Sequence, residues 1–287
     1  MTSYVFITGA AGGLGKAFAV ECASRGYHLA LTDLHAEPLA TLAAALRGTY
    51  GVDVRWHACD LTEAAERAAL FEALAGQRLA FWALINVAGI DHEGLFCAQA
   101  REHIRAILRL NIEGGVEMIH ALLGLRDRQT TFRIINVASL AAFFPMPYKA
   151  TYAASKRFLL DFSLALAEEL AADDVTVTAL CPAGLPTTAA CLDAIAAQGW
   201  LGQITTQNIG SVAAKTLDAA LRGRPVYIPG ALNRLLRALG GLVPPALIAR
   251  LVNKRWRAAR QPAARSKSGP YVGLGGALIA DQQQTAL

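Results

Sequence analysis

Up to about residue 230, short runs rich in Val, Ile, Leu and Thr alternate with longer Ala-rich stretches of helical period. No other feature restricts the chain as much. Strands separated by whole helices pair in parallel, and a parallel sheet needs both of its faces covered. The pattern predicts strands at Tyr4 to Thr8, His28 to Asp33, Val52 to Cys59, Trp82 to Asn86, Phe132 to Ala138, Val175 to Cys181 and Val226 to Ile228, with helices between them. The expected fold is α/β, a Rossmann-type doubly wound sheet of about seven parallel strands. Right-handed crossovers then put a ligand crevice at the strands' carboxyl ends.

The apolar fraction of 54% is high, yet the longest charge-free stretches do not form a span. Residues 175–192 contain Pro182 and Pro186, and residues 194–214 are diluted with Thr, Gln and Asn. The first residues lack the basic, apolar, small-residue order of a signal peptide, so a cytoplasmic location is expected. Five cysteines are scattered without a CxxC pair or a metal-like spacing with His, which predicts free thiols and no structural metal. Net charge is unevenly spread. Residues 1–221 carry −5 and residues 222–287 carry +10. The basic character belongs to one end, so nucleic acid is not the expected partner.

The first strand runs into Thr8-Gly9-Ala10-Ala11-Gly12-Gly13-Leu14-Gly15, followed by a good helix. Glycines suit a tight turn, close approach of a pyrophosphate to the backbone, and helix packing on strand without an intervening Cβ, while free N–H groups at the helix start receive phosphate charge. A turn alone, or a methyltransferase, could use the same glycines. Asp33 ends the second strand at about the twenty-residue offset of a ribose-binding acid. Such a carboxylate accepts from both ribose hydroxyls and repels a 2′-phosphate, so NAD is expected ahead of NADP; a helix-capping Asp is the plain alternative. Asp60, ahead of Leu61, is placed to meet an adenine edge or to cap the next helix. Asn86-Val87-Ala88-Gly89 ends the fourth strand with small residues past which a cofactor could fit.

Ser139 follows the fifth strand, and Tyr152-Ala-Ala-Ser-Lys156 opens a long helix. Residues i and i+4 share a helical face, so phenol and ammonium project together. A nearby cation stabilises a phenolate and brings a group of ordinary pKa about 10 toward working pH.

Taken jointly, Thr8-Gly9-x-x-x-Gly13-x-Gly15, Asp60, Asn86-x-Ala88-Gly89, Asn111, Ser139, Tyr152-x-x-x-Lys156 and Pro182-x-x-Leu185-x-Thr187 resemble the short-chain dehydrogenase/reductase family over about residues 3 to 230. The resemblance implies an NAD(P)-dependent oxidoreductase. Tyr152 would be the general acid/base, Ser139 would orient the substrate oxygen, Lys156 would hold the nicotinamide ribose and prime Tyr152, and Asn111 would keep a proton-relay water. Cofactor contacts would come from Gly9, Gly13, Leu14, Gly15, Asp33, Asp60, Leu61, Asn86, Ala88, Gly89, Tyr152, Lys156, Pro182, Leu185 and Thr187. Two departures stand out: Ala183 follows Pro182 where the family usually has Gly, and Val87 replaces its second Asn. A homodimer or homotetramer through the Tyr152 helix is a further implication, and the segment past Thr187 corresponds to the family's substrate lid.

Leu140 to Lys149 is apolar and aromatic with no Arg to clamp an anion, so an apolar ketone or secondary alcohol is the expected substrate. A cofactor-binding sensor or scaffold without turnover is the alternative from another class. The chain divides into a dinucleotide-binding and catalytic domain (1–230), a basic amphipathic helical extension (231–260) and a low-complexity tail (261–287). Arg234 and Arg237 share one face of the first extension helix, with leucines largely opposite; after Pro245, Arg250, Lys254 and Arg257 line up, with Trp256 at the boundary. Such helices either touch a membrane surface or lay their apolar faces on core or a partner subunit with the Arg face in water.

Overall fold

The computed structural model describes residues 3–187 and 205–265, with side chains described as far as Arg257. Seven strands form the sheet: β1 (Ser3–Thr8), β2 (His28–Asp33), β3 (Val54–Ala58), β4 (Ala80–Asn86), β5 (Phe132–Val137), β6 (Val175–Leu180) and β7 (Val226–Tyr227). Around them lie α1 (Gly13–Ser24), α2 (Ala36–Tyr50), α3 (Ala64–Gly76), α4 (Arg101–Leu108), α5 (Gly115–Gly124), α6 (Ala150–Glu169), α7 (Ile209–Leu221), α8 (Ala231–Gly240) and α9 (Pro245–Arg265). Each strand sits where the sequence pattern places one, within two residues at either end.

Strand order is β3-β2-β1-β4-β5-β6-β7, every pair parallel. The chain winds outward from β1 in one direction, then returns to β4 on β1's other side. A gap opens at that reversal, between the loops leaving β1 and β4, and this is where doubly wound folds take ligands.

The two-residue period of β1 shows how the sheet is held. Val5 and Ile7 point to one face, where Phe18 and Ala19 of α1, Leu39 and Ala43 of α2 and Leu217 of α7 cover them. Tyr4 and Phe6 point to the other, against Leu70 and Leu74 of α3 and Met118, Ile119 and Leu122 of α5. All of these are buried. A parallel sheet covered on both sides has no polar face, which is why its strands read as continuous apolar runs. Burial of each large side chain contributes about 2 kcal/mol, and truncating one such as Phe81 to Ala would cost about 3–5 kcal/mol.

The C-terminal region bears on two of the sequence readings. Helix α9 continues to Arg265, past the boundary at residue 260 drawn from sequence between the helical extension and the low-complexity tail. In α8 the buried residue is Asn233, whose amide donates to the carbonyls of Pro229 and Thr205, while Leu235 and Leu239 are each 53% exposed. The apolar face does not cover the core. Among the described residues, no helix is long and apolar enough to cross a membrane. The lid segment expected past Thr187 lies outside the described residues as far as position 204.

Candidate active site

The turn after β1 is shaped by what a side chain would strike. Gly9 has φ +62°, and a Cβ there would lie 2.8 Å from the Ala88 nitrogen; one on Gly15 would lie 2.0 Å from the Gly9 carbonyl oxygen. Only glycine allows α1 to start this close to the strand ends. Gly12 precedes α1 with no side-chain cap and there is no acid in the first turn, which leaves backbone N–H groups and the helix's positive end to an anion. Leu14 turns inward to the core, and the Thr187 backbone crosses 3.1 Å from where a Gly13 Cβ would sit. The loop after β6 thus runs over the start of α1.

Asp33 does not cap α2, whose first flanking residue is His35. Its carboxylate accepts from the Ala11 amide at 2.8 Å and from the Leu34 amide at 2.8 Å, which fixes a negative charge against the Gly-rich turn. Each oxygen keeps a lone pair for a further donor. Asp60 is engaged locally, accepting from the Thr62 amide and hydroxyl at 2.8 and 2.7 Å. Leu61 is fixed by a residue the sequence did not single out. Arg67, fully buried on α3, donates to the Leu61 carbonyl at 2.9 Å and to Glu117 at 2.7 Å, and also pairs with Glu113. The guanidinium holds the Glu117 carboxyl below its ordinary range. The available signal was Glu113 and Glu117, one helical turn apart and so able to face a single cation.

At the end of β4, Thr8 Oγ1 accepts from the amides of Val87 and Ala88, both at 3.1 Å, and ties the two central strand ends together. Asn86 donates to Asn136 Oδ1 at 3.1 Å, and Asn136 donates to Ser163 at 2.9 Å, which carries a buried polar chain across β4 and β5 into α6. The Asn86 Oδ1 is a buried acceptor without a partner among the described residues, in a small cleft shared with Thr8, Ala88 and Asn111.

Asn111 lies in a π-helical segment, Arg109–Gly114, between α4 and α5. Such insertions re-aim a side chain and recur at functional sites. Here the amide donates to the Ile90 carbonyl and to Ser155, both at 3.0 Å, and accepts from the Ile90 amide at 2.9 Å. A Cβ on Gly89 would stand 3.1 Å from both Asn111 Oδ1 and Lys156 Nζ. Three elements meet at that point.

Lys156 is buried, donates to the Val137 carbonyl at 2.8 Å, and places its ammonium 5.8 Å from the Tyr152 ring centroid. Burial pulls its pKa down to about 8 against the opposing pull of Asp91 and Cys181. A second ammonium, that of Lys149, also lies 5.8 Å from the Tyr152 ring, and it is paired with Asp91 and with Glu93 at 3.8 Å. Ser139 accepts from the Ala141 amide at 3.1 Å and opens a short 3-10 turn, Leu140–Phe143; the Leu140 amide donates to the Pro182 carbonyl at 2.8 Å. Leu185 packs partly against the core. Helix α8 presses onto this wall through Arg237, 5.2 Å from the Phe143 ring, and Gly240, where any Cβ would strike Phe144. Trp256 of α9 stacks on Tyr148, which holds φ +68°.

The profile of the family described as short chain dehydrogenase matches residues 3–193. The chain belongs to the short-chain dehydrogenase/reductase family. Over 179 residues this member is 31% identical to the very-long-chain 3-oxoacyl-CoA reductase of Laccaria bicolor, covering 61% of this chain and 52% of that one. It is 32% identical over 189 residues to human 17-beta-hydroxysteroid dehydrogenase type 3, covering 65% and 60%. The chain therefore spans between half and three fifths of the length of these two relatives. A short-chain dehydrogenase from Sphingobium yanoikuyae, solved in complex with NADPH, superposes with a TM-score of 0.68 at 26% identity over 95% of this chain and 98% of that chain. A nicotinamide dinucleotide is the cofactor class of the family, and the cradle at Gly9, the uncapped α1 start and the Asp33 carboxylate fit one.

Proposed function

We propose that this dehydrogenase interconverts an apolar ketone and its secondary alcohol, with Tyr152 as general acid/base. The observation that carries the reading is the buried Lys156 ammonium beside the Tyr152 ring, at the carboxyl edge of the strands next to the dinucleotide turn. The nicotinamide, when bound, supplies or accepts the hydride. Tyr152 gives a proton to the carbonyl oxygen on reduction and takes it from the hydroxyl on oxidation. Lys156 stabilises the phenolate by charge while its ammonium is protonated, Ser139 donates to the same substrate oxygen, and Asn111 anchors the Ile90 backbone beside the relay path.

NAD is the proposed cofactor ahead of NADP, because Asp33 fixes a negative charge where a 2′-phosphate would approach. The apolar, aromatic run from Leu140 to Tyr148 that follows Ser139 supports an apolar substrate; that the two relatives act on a very-long-chain acyl group and a steroid, as their names state, supports it too. We also assign the chain a homodimeric or homotetrameric state through α6.

The test follows nicotinamide absorbance across a panel of hydrophobic ketones and alcohols, with NADH and NADPH compared in parallel. Wild type turns over and Tyr152→Phe binds cofactor without turnover. Retained turnover in the variant removes Tyr152 from its role. Cofactor binding by wild type with no turnover on any substrate would favour the sensor reading, and a clear preference for NADPH would overturn the assignment to Asp33.

A further inference from the structure

The α8–α9 pair is amphipathic, and although α9 keeps Ile248, Val252 and Trp256 half-buried, leucines of both helices are turned to solvent. On α8 the buried Asn233 donates to backbone carbonyls, Gly240 packs against the Phe144 ring, and the exposed Arg237 lies beside the Phe143 ring. Turned outward are Leu235 and Leu239, each 53% exposed. On α9, Trp256 faces inward onto Tyr148, while Leu247 and Leu251 are exposed. Between the helices, Leu242 stands 83% exposed, the most of any large apolar side chain among the described residues. A soluble surface seldom gathers leucines this way unless something covers them.

Charge identifies the cover. From residue 231 to 265 the chain carries eight Lys and Arg and no Asp or Glu. Arg250, Lys254 and Arg257 are exposed on the helix that also exposes Leu247 and Leu251. A second copy of this chain laid on the same face would set Arg250, Lys254 and Arg257 against their own counterparts, which costs association free energy. An anionic lipid surface matches both halves of the pattern, since leucines enter the acyl boundary and cations meet headgroups.

We propose that the outward leucines and flanking cations of α8 and α9 form a peripheral docking surface for anionic membranes. The inner sides of the same helices touch Phe143, Phe144 and Tyr148, so docking brings the crevice wall to the bilayer. The surface is independent of the catalytic reading, because vesicle binding measures it without turnover.

The experiment floats the full chain with phosphatidylcholine vesicles and with phosphatidylcholine/phosphatidylglycerol vesicles. Binding to the anionic vesicles alone, lost on raising salt, is expected. Replacing the solvent-facing Leu239, Leu247 and Leu251 by Glu leaves the core untouched and abolishes flotation. Arg250→Gln with Lys254→Gln weakens partitioning roughly tenfold or more. Circular dichroism of each variant matches wild type. Failure to float with anionic vesicles overturns the proposal, as does flotation unchanged by the leucine substitutions. A wild-type mass in lipid-free light scattering that falls when the leucines are replaced would assign the surface to self-association and overturn it as well.

Discussion

Lys156 Nζ donates to the Val137 carbonyl at 2.8 Å, which fastens the long helix α6 to the strand that delivers Ser139 two residues later. One cation thus fixes the relative position of both sides of the crevice. Its burial also makes it titrate near working pH, and the first prediction comes from that.

Lys156 has its pKa lowered from 10.5 to about 8 in the folded chain. Between these values the unfolded chain binds a proton that the folded chain does not, so this site adds stability as pH rises from about 8 toward 10.5, to a limit of roughly 3 kcal/mol. Urea unfolding at a series of pH values should show the gain in wild type and its loss in Lys156→Met. Parallel pH dependences in the two proteins would contradict the buried ammonium.

Gly12 and Gly15 separate a loose from a tight position in one turn. A Cβ on Gly12 reaches the Gly9 oxygen at 3.4 Å, while one on Gly15 reaches it at 2.0 Å. Gly12→Ala should change stability by less than about 1 kcal/mol, and Gly15→Ala should cost about 3 kcal/mol or more, since backbone must move. Thermal melts decide, and equal Tm values for the two variants would show the turn to be more pliant than its geometry.

Asn111→Leu removes three hydrogen bonds and leaves the Ile90 backbone groups and Ser155 short of a partner. The expected loss is about 2–4 kcal/mol, together with at least a tenfold fall in turnover. If kcat stayed at the wild-type value, the segment around Ile90 would have no part in positioning the crevice.

Trp256→Ala removes the ring that stacks on Tyr148, a non-glycine residue at positive φ whose conformation costs about 1 kcal/mol. KM for the carbonyl substrate should rise severalfold while nicotinamide affinity stays constant. Isothermal titration with cofactor and steady-state kinetics separate the two, and a change in cofactor affinity alone would place Trp256 elsewhere in the site's logic.

The strands were legible because a sheet covered on both sides leaves a run of apolar residues whose ends coincide with turn-formers. His28–Asp33 is expected and found at the same bounds. The meeting of Tyr152 and Lys156 was legible for a similar reason, since helical period alone sets it. What the sequence did not reveal depends on long-range contact. The Asp33 carboxylate reaches an amide 22 positions back, and nothing local marks Ala11 as its donor. The π segment at Asn111, which joins α4 to α5, aims its amide at Ile90 and Ser155, partners that no local residue preference encodes. Arg67 reads as one more solvated helix position until Glu113 and Glu117 are folded over it. The extension helices leave Leu235, Leu239, Leu247 and Leu251 exposed, and on α8 the buried position goes instead to Asn233, whose amide finds backbone carbonyls.

Leu140 donates its amide to the carbonyl of Pro182, so the stretches following β5 and β6 share a rivet at their roots. One stretch begins with the hydroxyl proposed to meet substrate, and the other passes over the glycine turn proposed to hold the dinucleotide. That single backbone bond sets how far apart the roots of the two stretches can stand, and so the width of the crevice at its floor.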